Sequence, residues 1–316
     1  MKLSVYKRVK RAYQAKGLMY LVHIAVQVMI YWCRLPFRRF YFRTFKRKKR
    51  YSIVCICQIY NEIRKGNLER FVKYAKSLFD HLVVWDNAST DGSYEYMVNH
   101  ASYVFRSEKN DFADEMRIKQ ILLDYALTLR PDFVMYLDAD EVLTADAQSR
   151  LQTLCRRCLE DGYDGVSFHE LNLWRSRSWR RIDNLYDEGW FVRLWRVTPN
   201  ISYGEIKRGL HHRPEPETVQ RTIRAKGVQV IHYGFASERL LAFKYLVYKS
   251  YGQSGYWLDR LIDESTLVLE KVNKELFPEG LYVDDDRPKK LDIQESLAYV
   301  DRYRAEVLGD LDKTPT

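Results

Sequence analysis

The first fifty residues contain no aspartate and no glutamate. They hold 15 of the 52 lysines and arginines of a 316-residue chain, so residues 51–316 keep 37 basic against 42 acidic groups, a net charge of −5 beneath an overall +10. Basicity belongs to an N-terminal arm, and an acidic body argues against nucleic acid as a partner; none is expected. Cysteine is scarce and odd in number, five in all, which excludes a disulfide framework. Neither Cys55 with Cys57 nor Cys155 with Cys158 has the matching second pair of a zinc site, so buried free thiols are expected. Glycine-rich GxGxxG and Walker-type loops are absent, which counts against dinucleotides and P-loop phosphate binding. There is no internal repeat, and a 46% hydrophobic composition excludes disorder, collagen and coiled coil.

Within the arm, Gly17 to Cys33 carries no Asp, Glu, Lys or Arg, while Lys7, Arg8, Lys10, Arg11 and Lys16 precede it and Arg34 to Arg50 is strongly basic. Such a run stands at the lower bound of a membrane span, which needs roughly 17 to 25 residues. At helical spacing Lys16, Tyr20, His23, Gln27, Tyr31 and Arg34 form one narrow stripe, with apolar side chains covering the rest. A helix lying in the bilayer interface is therefore expected over one that crosses it. No small-residue cleavage site follows, which argues against a cleaved signal peptide. Basic arms are drawn to anionic lipid by about 1 kcal/mol per charge; the alternative is an amphipathic helix packed on the body or on a partner subunit. Nine basic residues after the apolar run against six before it place the body on the cytoplasmic side, peripheral or monotopic.

From Tyr51 short apolar runs alternate with helical periodicity, the pattern of a parallel sheet covered by helices. Strands are predicted at Ser52–Cys57, His81–Trp85, Tyr103–Phe105, Phe133–Leu137, Gly165–His169, Trp190–Trp195 and Gln229–Tyr233. Helices are predicted from Leu68, over Phe112–Leu129, from Ala145 to Leu159, and over Glu238–Ser250, Asp259–Phe277 and Leu291–Leu308. The division expected is an arm over 1–50, a catalytic α/β domain over 51–237 and a helical extension over 238–316.

Ligands of open α/β sheets bind at the carboxyl ends of strands. The first predicted strand leads to Tyr60, Asn61 and Glu62, the second to Asp86-Asn87-Ala88-Ser89-Thr90-Asp91-Gly92-Ser93, and the fourth to Asp138-Ala139-Asp140-Glu141. Two carboxylates at the end of a buried strand need partners, and a hard divalent cation is one natural choice; capping the next helix is the plainer one.

Together, in this order and spacing, these three strand ends resemble the family 2 glycosyltransferases of the GT-A fold, over about Tyr51 to Leu143 and more weakly over Trp190 to Tyr233. The resemblance implies a Rossmann-like nucleotide-diphospho-sugar transferase: a mixed sheet flanked by helices, here preceded by a basic amphipathic helix and followed by C-terminal helices. It implies that Asp86, Asn87 and the Ile59–Glu62 segment (Tyr60, Asn61, Glu62) line a donor pocket, that Arg117 faces the diphosphate or sugar, and that Asp138 and Ala139 lie near ribose or sugar. It further implies Mn²⁺ or Mg²⁺ on Asp138 and Asp140, with His232 completing the metal shell or holding phosphate. Several relatives have His-Glu where this chain has His211-His212, so the base stays open among Asp187, Glu188 and His212.

The implied reaction is inverting transfer from a nucleotide-sugar donor, with UDP favoured over GDP or TDP. The acceptor would be a hydroxyl of a glycan or lipid-linked molecule, in cell-surface glycan or glycolipid synthesis at an anionic membrane surface. A catalytically inert scaffold of the same fold is the chief alternative, and a nucleic-acid binder using the arm is the weaker one. The Trp174–Arg181 cluster is open between a sugar-stacking face, a surface loop and a membrane-facing edge. Asn87 and Asn200 head Asn-x-Ser sequons, and a glycan on Asn87 would block the donor pocket, which again favours a cytoplasmic body.

Overall fold

The computed structural model describes residues 50–183, 189–210 and 212–311, and positions between 22 and 44 in part. Asp187, Glu188 and His211 lie outside the described residues, as do Lys16, Tyr20, His23, Gln27 and Tyr31 of the polar stripe.

The chain forms a mixed α/β structure around an eight-stranded sheet. In chain order its strands are β1 (Ile53–Ile59), β2 (His81–Asp86), β3 (Tyr103–Arg106), β4 (Phe133–Tyr136), β5 (Glu141–Leu143), β6 (Gly165–Asn172), β8 (Trp190–Arg196) and β9 (Thr222–His232), with β7 (Trp179–Arg181) set apart. Their spatial order is β3-β2-β1-β4-β8-β6-β9-β5. The first four are mutually parallel; β8 runs antiparallel to both β4 and β6, and β9 pairs parallel with β6 and antiparallel with β5.

Alternation along β1 divides the core in two. Ile53, Cys55, Cys57 and Ile59 face α2 (Leu68–Leu78) and α5 (Ala147–Asp161), whose Phe71, Ala75, Leu154, Cys155 and Cys158 complete that layer. Val54 and Ile56 face α4 (Glu115–Thr128) through Ile118, Leu122, Leu123 and Ala126. The four internal cysteines are therefore buried free thiols that pack as small hydrophobes.

Residues 33–42 form a helix, α1. It docks on the C-terminal end of α5: Leu35 is buried, Arg38 donates to the Leu159 carbonyl at 3.0 Å, and Arg39 pairs with Asp161 at 2.7 Å. Val22, Val26, Met29, Ile30, Phe37, Phe40 and Tyr41 remain exposed. Among the described residues no helix is long and apolar enough to cross a membrane.

After β9 come α6 (Glu238–Ser250), a short α7 (Tyr256–Asp259) and α8 (Ile293–Leu311), with α6 and α8 packed together. The helix expected over Asp259–Phe277 is not there. Past α7 the chain leaves helical geometry, forms β10 (Leu269–Lys271) antiparallel to β7, and closes with a single 3-10 turn, Lys274–Leu276. Tertiary contacts override the local pattern. Buried Glu264 accepts from Trp174 Nε1 at 3.0 Å, from Arg175 Nε and Nη2 at 2.8 Å each, and from the Leu291 amide at 2.8 Å. A continuous helix could not present one carboxylate to all of these groups. The same contacts narrow the reading of the Trp174–Arg181 cluster: Trp174 and Arg181 are fully buried and stacked at 4.6 Å, so these two face neither sugar nor membrane, while Arg177 stands exposed as on a surface loop.

Replacing Glu264 by alanine removes the two-point carboxylate partner of Arg175, whose side chain is only 6% exposed, and leaves it the Lys289 carbonyl and Glu238 at 3.8 Å. Breaking a buried pair in this way costs about 3–5 kcal/mol. Thermal denaturation of Glu264→Ala is expected to show a midpoint lower by on the order of 10 °C.

Candidate active site

Because β1, β2 and β4 are adjacent and parallel, the loops that follow them emerge at one edge of the sheet. The first two loops are stitched to each other. Asn61 and Ala88 both adopt left-handed backbone, at φ 51° and 62°, conformations that cost a non-glycine residue of order 1 kcal/mol or more. The Asn61 amide donates to Ser89 Oγ at 2.9 Å, Asn61 Oδ1 accepts from the Thr90 amide at 2.8 Å, and Asp91 accepts from the Arg64 amide at 2.8 Å. Asp86 ends β2 fully buried. Its Oδ2 accepts from the Ser89 amide at 3.1 Å and lies 3.5 Å from Arg106 Nε, while its Oδ1 has no hydrogen-bond partner. Burial pushes the Asp86 carboxyl up, against the pull of Ser89 and Arg106. A buried acceptor without a donor is costly.

At the end of β4 the two aspartates part company. Asp138 Oδ1 accepts from Tyr136 Oη at 2.8 Å, and its Oδ2 lies 4.0 Å from Arg193 Nη1. Desolvation and the neighbouring Asp140 push the Asp138 carboxyl up, against Arg193 and Lys119. Asp140 Oδ2 instead sits 3.3 Å from His232 Nε2 and 3.3 Å from Lys244 Nζ. Burial disfavours its charge, but the Lys244 ammonium outweighs that and holds Asp140 well below the usual carboxylate range.

Strand register explains why His232 is there. It closes β9 opposite Glu141 of β5 and Asn172 of β6. Asn172 Oδ1 lies 2.6 Å from His232 Nδ1, which assigns the ring proton to Nδ1 and leaves Nε2 to accept from Lys244 Nζ at 3.0 Å. Lys244, on α6, thus bridges Asp140 and His232. Desolvation lowers its proton affinity, yet Asp140 dominates and holds it above the ordinary lysine range. Behind this group Arg193 joins Glu141 and, at 3.2 Å, Glu170, and burial pushes the Glu141 carboxyl well up.

The metal ligands expected here do not converge. Asp138 faces Tyr136 and Arg193 while Asp140 faces His232 and Lys244. Among the described residues no three His, Cys, Asp or Glu side chains come together to hold an ion. A divalent ion bonded at about 2.1 Å to both Asp140 Oδ2 and His232 Nε2 would lie within roughly 4 Å of the Lys244 ammonium. Ion and ammonium would then repel by several kcal/mol at an effective dielectric of about 20. As they stand, these residues do not fit a divalent metal.

Two cavities flank Asp138. One, a cleft of about 230 Å³, is lined by Ile59, Tyr60, Glu62, Asn87, Ala139, Asp140 and Lys244, among others. The other, of about 390 Å³, is lined by Lys119, Glu170, Trp190, Arg193 and His212. Glu115, Tyr136 and Asp138 belong to both. Glu62, in the cleft wall, accepts from Lys65 Nζ and Asn67 Nδ2 at 2.8 Å each. The buried His212 Nε2 has no hydrogen-bond partner. Arg117 lines neither cavity; it is exposed on α4, paired with Asp114 and set over the Trp85 ring.

Sequence reading missed Lys244, Glu170 and Asn172, and touched Arg193 only within the weaker resemblance over Trp190 to Tyr233. No local pattern marks them, because each reaches the site through strand register or helix packing. Arg106 closes the short β3, and its place opposite Asp86 in the parallel register was the one available signal.

No family model matches the chain, and no curated protein matches it. Solved structures similar to part of it include Staphylococcus aureus TarS (11% identity, covering 66% of this chain and 42% of that one, TM-score 0.33). Another is TarS 1–349 in complex with UDP-GlcNAc (18%, 49% and 38%, TM-score 0.28). A third is glucosyl-3-phosphoglycerate synthase from Mycobacterium tuberculosis with Mn²⁺, UDP and glucosyl-3-phosphoglycerate (18%, 39% and 44%, TM-score 0.28). The match spans less than half the length of each of these proteins.

Gly234 leaves the room in which the ammonium cluster assembles. A Cβ there would lie 2.3 Å from His232 Nε2, 2.3 Å from Lys244 Nζ and 2.6 Å from Asp140 Oδ2. Gly234→Ala is expected to drive these groups apart at a cost of about 1–3 kcal/mol, read as a lower melting temperature in ligand-free buffer.

Proposed function

We propose that this protein is a glycosyltransferase that moves a sugar from a nucleoside-diphosphate donor to an acceptor hydroxyl. The observation that carries the reading is the pair of adjoining cavities sharing Glu115, Tyr136 and Asp138, one bounded by the β1, β2 and β4 loops and the other beyond them. Two substrates that exchange a group need adjoining pockets, so that the reacting atoms can come within about 3–3.5 Å.

The donor nucleotide occupies the smaller cleft. Asp86 is fully buried and outside the lining of this cleft, so Tyr60 and Asn87 are the side chains of the β1 and β2 ends that meet the base. UDP-sugars come first, then GDP- and TDP-sugars. Tyr60, Asn87, Ala139 and Asp138 border the nucleotide and sugar. In the transfer, the acceptor oxygen bonds to the anomeric carbon from the face opposite the diphosphate, with inversion. The carbon–oxygen bond to the diphosphate breaks, the diphosphate keeps the electron pair, and the acceptor proton passes to a base. His212, which lines the larger pocket, is the candidate supported by position; Asp187 and Glu188 remain sequence candidates.

Incubation with a panel of UDP-, GDP- and TDP-sugars is expected to release one nucleoside diphosphate, measured by coupled assay. Asp140→Ala, which leaves Lys244 without its carboxylate, is expected to lower that release at least a hundredfold. A folded protein that neither binds nor turns over any of these donors would leave the inert scaffold standing instead.

The acceptor is a glycan or lipid-linked molecule at an anionic membrane. Support comes from the exposed Val22, Val26, Met29, Ile30, Phe37 and Phe40 beside a run of nine basic residues. Sedimentation with vesicles containing 30% phosphatidylserine is expected to capture the full chain, and a chain lacking residues 1–50 is expected to stay in solution.

A further inference from the structure

The reading of the site as a diphosphate-sugar pocket leaves one group without a role. Lys244 lines the cleft with its Nζ 3.3 Å from Asp140 Oδ2 and 3.0 Å from His232 Nε2, the two atoms that a metal would use. Its surroundings hold it in place. Its ammonium lies 4.7 Å from the centre of the Phe235 ring, Asn172 fixes the His232 tautomer, and Gly234 keeps the space open. The side chain is 19% exposed, enough to meet a ligand in the cleft while its stem is packed.

We propose that the Lys244 ammonium is the resident countercharge for the donor's diphosphate, so that nucleoside diphosphate binding depends on Lys244 and not on a divalent ion. This rests on the nucleotide-sugar reading above. A departing nucleoside diphosphate carries two to three negative charges that must be met by cations already in position. Lys65, which also lines the cleft and is tied to Glu62, adds a second ammonium on the same wall. Asp140 and His232 then act as positioning residues: they hold Lys244 charged and aimed, and they do not coordinate metal. Because Asp140 offsets one positive charge, the cluster is not so basic as to trap the product.

Binding in the absence of turnover tests this directly. Full-length protein stripped with EDTA is titrated calorimetrically with UDP, and with GDP, TDP, CDP and ADP, in EDTA and again in 2 mM Mn²⁺. Wild type is expected to bind one diphosphate with affinities that agree within threefold in the two buffers. Lys244→Met, which keeps the stem and removes the charge, is expected to bind at least tenfold more weakly in EDTA. With the ammonium gone, Asp140 and His232 are free to hold an ion, so Mn²⁺ is expected to restore part of the loss. Wild-type binding seen only with Mn²⁺ would overturn the proposal and leave the nucleotide-sugar reading intact. Binding of no diphosphate in either buffer would overturn both. The wild-type comparison needs no variant, so it decides the matter even if Lys244→Met does not fold.

Discussion

A carboxylate at the end of a buried strand must be paired, and the pairing of Asp140 is the constraint on which the site depends. Its partner comes from α6, far along the chain, and its second neighbour from the last residue of β9. Each of these needs support in turn. His232 needs Asn172, whose position follows from the β6–β9 register, and the approach of all three side chains needs a residue without Cβ at position 234. Desolvation makes every member of the group expensive alone, which is why its removal is expected to be felt by its neighbours.

The same logic makes the C-terminal helices part of the cleft. Phe243, Lys244, Val247 and Tyr248 of α6 line it opposite the strand loops. That helix is held by α8, and the chain between them is held by Glu264, Trp174 and Arg175. Stability of a segment remote from the substrates is thereby coupled to the position of the ammonium. The arm is attached elsewhere, at the end of α5 that leads into the start of β6. That is the edge of the sheet away from the strand ends that carry the cleft.

Much of the sheet was legible because β1, β2 and β4 are buried on both faces and so read as unbroken apolar runs. Their acidic and polar endings, Asp86, Asp138 and Asp140, were legible for the same reason, since polarity directly after such a run is conspicuous. The Asp259–Phe277 segment misled because its apolar spacing is helical while its fate is decided by one buried glutamate and by pairing with β7. Arg117 was placed by analogy of position alone, and the Asp114 carboxylate one turn earlier holds it at the surface. Lys244 was not legible at all: a single lysine on a helix reads as solvated until packing brings a carboxylate to it.

Glu115, Tyr136 and Asp138 form a wall with one cavity on each side. Much of the cavities' remaining lining differs, β1 and α6 for one and β6 and β8 for the other, although Leu210 and His212 carry neighbouring positions of one segment into both. A change at any of those three wall positions reshapes both cavities at once.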